Sequence, residues 1–299
     1  MFKYGDVQGK ADTFSVDVVK EIQETTALLF ELSTETNLDK NNLLIQQSEA
    51  GFLHRSDTVN APTSCSIRSR LTPSTPSAVG SMWYRDDVPL FRGFDTYFTF
   101  QITDHSKECN EVKDQYLSQK SYTTCNVHGA DGFAFVIQYA PNTTATVGNV
   151  GGQMGFGGIQ NSLAIAFDTW QNPGEDSLGV DHVSIQSLGP SPNDGLEAGL
   201  IGLPRSTPLA NGAIHKARIA YFNDLQVGYF DKLVASDSLL PYLRDNGEEK
   251  RVGTLAVFID QGIEDDIPLL AMPINLSLLL KLPTDSAFVG FTSSTGRFY

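Results

Sequence analysis

The sequence lacks any run of about eighteen apolar residues, the length a membrane-spanning helix needs. Its most apolar stretch, near Leu269 to Leu282, is broken by Pro273 and Asn275, so no direct membrane insertion is expected. Basic residues are scarce: 21 Lys and Arg stand against 35 Asp and Glu, a net charge of -14. Phosphate binding needs a dense Lys/Arg surface, so nucleic acid is excluded as a partner. A cation or a neutral ligand is compatible with the acidity. Among the few histidines and the 3 cysteines there is no His-Glu-x-x-His and no clustered Cys/His pair, which removes the usual zinc patterns. No Gly-x-Ser-x-Gly elbow is present, so no serine nucleophile is indicated. The opening residues, MFKYGDVQGKADTF, lack the charged start and apolar core of a secretion signal.

What remains is a chain of 299 residues with 40% hydrophobic content, ordinary for a soluble globular protein and enough for one large core. Aromatic and β-branched residues alternate from Val79 to Tyr84 and from Phe94 to Ile102. Further strands read at Leu43–Gln46, Phe133–Ile137, Leu163–Phe167, Val183–Ser187, Ile214–Tyr221, Leu225–Tyr229, Leu255–Ile259, Leu276–Leu282 and Ala287–Thr292. Residues 1–40 read as an N-terminal extension with a first strand near Ala27 to Leu32, and residues 41–299 as one domain without internal repeat. Many short strands, Gly-rich loops and no long amphipathic helix predict an all-β fold, an antiparallel β-sandwich or jelly roll.

Cys109 and Cys125 flank a polar insert, and a disulfide there would close a short loop worth about 3 kcal/mol in the chain-entropy model. Cys65 then has no evident partner and reads as a buried thiol or an intermolecular link. Asn142-Thr143-Thr144 and Asn275-Leu276-Ser277 are glycosylation sequons. Together these point to a secreted, cell-surface or secretory-pathway lumenal protein whose targeting segment is not in this chain.

The chemistry concentrates between Gly129 and His182. Asp131 opens an apolar strand, a glycine-dense loop follows at Gly148 to Gly158, and a second strand empties into a loop carrying Asp168, Asn172, Glu175, Asp176 and Asp181. Hard cations take six to eight oxygens from carboxylates, amides and backbone carbonyls. Asp168, Asn172 and Asp176 lie at intervals of four, with the Trp170 carbonyl between the first two. Calcium is one reading; a solvated acidic loop with an Asx turn at Asn172 is the other. Polysaccharide cleavage needs two carboxylates, which jelly-roll hydrolases set at alternating positions of one strand. Here Asp168 is preceded two residues earlier by Ala166, so a hydrolase is the weakest option.

Ala130-Asp131-Gly132, the Gly151-Gly152-Gln153-Met154-Gly155 loop, Phe167-Asp168-Thr169-Trp170-Gln171-Asn172 with Asp176 and His182, and Phe288-Val289-Gly290-Phe291-Thr292-Ser293-Ser294-Thr295-Gly296 stand in this order. In that order they resemble the L-type lectins, the legume lectins and their animal secretory-pathway relatives, over roughly residues 40 to 299. The resemblance implies the concanavalin-like sandwich and a calcium-dependent carbohydrate-binding domain without catalysis, with glycans or glycoproteins as partners. It implies that Asp131, Gly152 and Asn172 grip sugar hydroxyls while the Trp170 ring lies under the pyranose. Calcium would be held by Asp168, the Trp170 carbonyl, Asn172 and one of Glu175, Asp176 or Asp181, of which Asp176 is chosen. It also implies a cis Ala130-Asp131 bond.

The sequence departs from that pattern twice. Ala166 stands where legume lectins carry a glutamate for a second, transition-metal ion, so that site is expected to be lost and His182 to be structural. Family members continue past the Thr-Gly motif into a last strand, so a cropped fragment of a longer protein is expected. Single shallow sugar sites gain useful strength only in several copies, by homo-oligomerisation or within a larger surface assembly. The alternative function is a structural or assembly sandwich domain with a degenerate sugar site.

Overall fold

A computed structural model describes the backbone of residues 2–5, 11–15, 33–34, 43–45, 51–53, 68–103, 105–113, 120–172, 181–195, 199–233, 237–247 and 250–299. The expected strand at Ala27 to Leu32, together with Cys65, Glu175 and Asp176, lies outside them.

In chain order the strands are β1 (Phe2–Gly5), β2 (Ala11–Ser15), β3 (Ser33–Thr34), β4 (Leu43–Ile45), β5 (Gly51–Leu53) and β6 (Arg68–Arg70). Then come β7 (Val79–Tyr84), β8 (Val88–Pro89), β9 (Phe94–Phe100), β10 (Ser106–Lys113), β11 (Ser121–His128), β12 (Gly132–Gln138) and β13 (Ser162–Asp168). The last are β14 (His182–Gln186), β15 (Leu200–Ser206), β16 (His215–Phe222), β17 (Gly253–Ile259), β18 (Leu270–Ile274) and β19 (Ser286–Ser294). One sheet runs β15-β14-β13-β12-β19-β7-β4, with β8 added on β19; the other runs β18-β17-β16-β9-β1-β2-β3. The ladders are antiparallel throughout. The fold is an antiparallel β-sandwich.

Period-two alternation builds the core. Phe133, Phe135 and Ile137 of β12 and Leu163, Ile165 and Phe167 of β13 point between the sheets and meet Ile219, Val257 and Met272. Phe133 and Phe167, directly paired in register, stack with centroids 4.5 Å apart. Phe100 reaches across from the facing sheet to Phe133 at 4.9 Å. The alternate residues Ala134, Val136, Ala164 and Ala166, with Trp83 of β7 in the same sheet, form the opposite face, which Met154, Phe156 and Ile159 cover. Small side chains on that face let the glycine-dense loop lie flat on the sheet.

Two expected strands are corrected. Leu276–Leu282 is not extended: Leu276–Leu279 forms a short helix, and the strand lies just before it at Leu270–Ile274. Asn275 is the cause, since its Oδ1 accepts the Leu278 N–H at 3.0 Å and caps the turn. Leu225–Tyr229 is likewise a bend leading into a 3-10 turn at Val227–Lys232, with Val227 71% exposed. The cysteine-flanked insert is the β10–β11 hairpin, with Cys109 directly opposite Cys125 in register.

Asn275 is also the asparagine of the second sequon. It is 1% exposed, and its Nδ2 donates to the carbonyls of Arg244 and Lys250, each at 2.8 Å. The nitrogen that would carry a glycan is spent inside the fold. Asn142, by contrast, is exposed in the loop after β12.

Candidate functional site

The site residues gather at one end of the β12–β13 pair. Gly132 faces Asp168 in register, Asp168 faces His182, and Gly132 faces Ser294 of β19. The Ala130-Asp131 peptide is cis, as the resemblance implies. The Asp131 N–H donates to the Ser294 carbonyl at 3.0 Å, and the Asp131 carbonyl accepts from the Thr169 N–H at 3.1 Å. Asp131 is thereby fastened between the end of β19 and the segment after β13. Gly132 must be glycine: its φ is +133° and a Cβ would run into the Phe167 carbonyl.

The glycine loop is brought to the same place. Gly148 N–H donates to the Gly155 carbonyl at 2.7 Å and Asn149 N–H to the Gly157 carbonyl at 2.9 Å, which folds the loop back on itself. Gly151 N–H donates to Thr295 O at 3.3 Å, and Ser294 Oγ donates to Gly151 O at 2.6 Å. Gly152 follows at once. Its carbonyl lies against Gly195, whose N–H donates to Gln153 Oε1 at 3.1 Å.

Asp168 is 2% exposed and its Oδ1 accepts the Trp170 N–H at 2.9 Å, an Asx turn leading out of β13. Asn172 is half-buried. Asp181 is engaged elsewhere, its Oδ2 accepting from the N–H groups of Leu209 and Ala210 at 3.0 and 3.2 Å. His182 is fully buried. The described donors expected for an ion, Asp168, the Trp170 carbonyl and the Asn172 amide, are oxygens of the kind calcium takes. Among the described residues there is no group of three His, Cys, Asp or Glu that could hold a metal. Ala166 is fully buried in the apolar cluster with Trp83, Met154 and Phe156, where a carboxylate would be desolvated without compensation.

Trp170 is the departure. Its ring stacks on Phe298, centroids 4.7 Å apart and planes at 27°. The segment after β19 therefore belongs to the site: Gly296 touches Asp131, and Phe298 covers Trp170. Phe298 falls in no motif, and its one signal in the sequence is an aromatic residue two positions beyond Thr295-Gly296.

Fold and site together define an all-β sandwich with acidic residues and a glycine-dense loop gathered at one end of one sheet. No protein-family model matches the chain. It is similar to the crystal structure of basic winged bean lectin with Tn-antigen, at 20% identity and a TM-score of 0.43, covering 86% of this chain and 83% of that one. It is also similar to the VIP36 exoplasmic/lumenal domain in its Ca2+/Man3GlcNAc-bound form, at 18% identity and a TM-score of 0.45, covering 88% and 84%. The metal-free form of that domain matches at 17% identity and a TM-score of 0.44, covering 86% and 85%. Among the described residues no helix is long and apolar enough to cross a membrane.

Proposed function

We propose that this chain is an L-type-lectin-like domain that binds glycans with the help of calcium and without catalysis. The observation that carries the reading is the placement of Asp131: its N–H donates to the Ser294 carbonyl, its carbonyl accepts from Thr169, and Gly296 approaches its carboxylate, while the Gly151 turn is held on the same Ser294. A carboxylate so fixed is suited to accept two sugar hydroxyls, with the Gly152 N–H and the Asn172 amide completing the grip. Asp168, the Trp170 carbonyl, Asn172 and Asp176 are the ligands proposed for calcium, which would order the loop holding Asn172. A hydrolase is disfavoured because Ala166, buried among apolar side chains, leaves one carboxylate on that strand face.

The proposal extends to the surroundings. A Cys109–Cys125 bridge is supported by their direct cross-strand register and by the disulfide-bonded state of Cys109. An oxidised hairpin and an exposed Asn142 sequon suit an extracellular or secretory-lumen location, with glycoproteins as partners and several copies presented together.

The test is a glycan array probed with the purified chain, with and without EDTA, beside Asp131→Ala. Binding lost in both cases supports the reading; a folded, calcium-loaded chain that binds no glycan removes it. A second reading, an assembly domain with a degenerate site, is favoured by the 5% exposure of Asp131. It predicts the same array to be blank while the chain self-associates.

A further inference from the structure

The glycine loop is held at two points, and Gly152 lies between them. At one, Gly151 is bonded to the end of β19: its N–H donates to Thr295 O at 3.3 Å and its carbonyl accepts from Ser294 Oγ at 2.6 Å. The Ser294 carbonyl also takes the Asp131 N–H at 3.0 Å, so Gly151 and Asp131 share one anchor. At the other point the tie is a side chain. Gln153 Nε2 donates to Asp194 Oδ1 at 2.8 Å, and Gln153 Oε1 accepts the Gly195 N–H at 3.1 Å. Both ends of one amide therefore reach the β14–β15 loop. Gly157 leaves room for this, since a Cβ there would run into Gln153 Oε1.

The β14–β15 loop is a fixed support because it is tied to the core in turn. Asn193 is 4% exposed, and its Nδ2 donates to Ser162 Oγ and to the Gln186 carbonyl, each at 3.2 Å. Its Oδ1 accepts the Asp194 N–H at 3.0 Å, so the residue that Gln153 grips follows directly from a buried anchor. Gly152 itself is half-buried, and among the described residues its N–H meets no acceptor. That donor is left for a ligand.

We infer that Gln153 is a positioning residue of the site: its side-chain amide clamps the glycine loop to the β14–β15 loop and so fixes the Gly152 N–H for a sugar oxygen. This rests on the glycan reading above. Without the clamp, Gly151 keeps its tie to β19, and the Gln153 carbonyl keeps the N–H groups of Phe156 and Gly157 at 3.0 and 2.9 Å. The fold then survives while the donor loses its fixed direction. An amide that donates to a carboxylate makes a stronger bond than two neutral groups, whereas two carboxylates in the same place repel.

The experiment compares wild type, Gln153→Ala, Gln153→Glu, Asp194→Asn and the pair Gln153→Glu with Asp194→Asn. The first readout needs no sugar: amide hydrogen exchange of peptides covering Gly148 to Gly158 and Ser191 to Gly195. Exchange should quicken in Gln153→Ala and Gln153→Glu. It should return to wild-type rates in the pair, where the new amide donates to the new carboxylate and the bond re-forms with its sense reversed. Unchanged exchange in the single Gln153 variants overturns the inference. The second readout is calorimetric titration with methyl α-mannoside, methyl α-galactoside and methyl N-acetyl-β-glucosaminide in the presence of calcium. Gln153→Ala and Gln153→Glu should bind about tenfold more weakly, with Tm within about 2–4 °C of wild type. Asp194→Asn, which keeps an acceptor oxygen, and the pair should stay within about threefold. A merely structural role would lower Tm and leave the affinity of the folded chain alone. Quickened exchange with unchanged affinity overturns the inference and leaves the glycan reading standing. If the wild type binds none of the glycosides, the glycan reading falls and the positioning role with it, while exchange still decides whether the clamp holds the loop.

Discussion

The Cα of Gly296 faces the carboxylate of Asp131 so closely that a Cβ there would lie 2.8 Å from Oδ2 and 3.4 Å from Oδ1. Side-chain carbons do not approach oxygens at the shorter of these distances, so Gly296→Ala must push the carboxylate aside. The rest of the fold is untouched by one methyl group at a loop. The expected result is about tenfold weaker glycan binding with Tm held within about 2–4 °C of wild type. Titration calorimetry and a thermal melt check both; unchanged affinity would mean that Asp131 is not the gripping carboxylate.

Asn275 yields a prediction about folding and one about modification. Asn275→Ala removes the Leu278 cap and leaves the Arg244 and Lys250 carbonyls without their donor. Losing a cap and uncovering partly buried acceptors should cost about 2–4 kcal/mol, read from the denaturant midpoint. Chain expressed through a eukaryotic secretory pathway should carry glycan at Asn142 and none at Asn275, as peptide mass mapping would reveal. Glycan on folded Asn275 would contradict its burial.

Legibility in the sequence follows the difference between the two faces of each strand. Where β12 alternates Phe, Phe and Ile with Ala and Val, both the strand and its facing are readable, because one side meets the inter-sheet core and the other meets a covering loop. The leucines after Asn275 carry no such alternation, and a single capping side chain decides their conformation. β10 and β11 are not legible because Lys107, Cys109 and Glu111 are exposed, so the hairpin has no apolar period to read. β15 contains Gly202 and Pro204, residues that argue against a strand unless it is an edge, which it is. The site divides in the same way. Asp131, Gly152 and Asp168 come from one continuous stretch and are recognisable together. The Gly296 and Phe298 contacts join it from the far end of the chain through a tertiary approach that no local pattern encodes.

Alkaline pH should weaken the sheet opposite the site. Burial, aided by a hydrogen bond and the charge of Asp266, pushes the Tyr229 phenol up to about 12. Burial also raises the Tyr221 phenol. A phenol that holds its proton more tightly when folded contributes stability in full below its unfolded pKa, near 10, and loses it as pH climbs through the folded value. Stability should therefore fall between about pH 10 and pH 12, and Tyr229→Phe should fall less steeply over that window. Urea midpoints measured at intervals across it would decide, and parallel curves would count against the Tyr229–Asp266 contact at 3.1 Å.

Asp168 separates the ion from the backbone turn it also makes. In Asp168→Asn the amide oxygen still accepts the Trp170 N–H, so the Asx turn that leaves β13 survives while the charge is lost. If calcium is a ligand of the folded chain alone, saturating it to about 100 times its Kd adds about 2.7 kcal/mol to wild-type stability by mass action, a rise of several degrees in Tm. Asp168→Asn should melt near the metal-free wild type and gain almost nothing from calcium. EDTA should return wild type to the same temperature, and magnesium, which resists dehydration and wants a tighter octahedron, should substitute poorly. A wild type whose melting is indifferent to calcium would leave Asp168 as a turn-forming residue and shift the weight to the assembly reading.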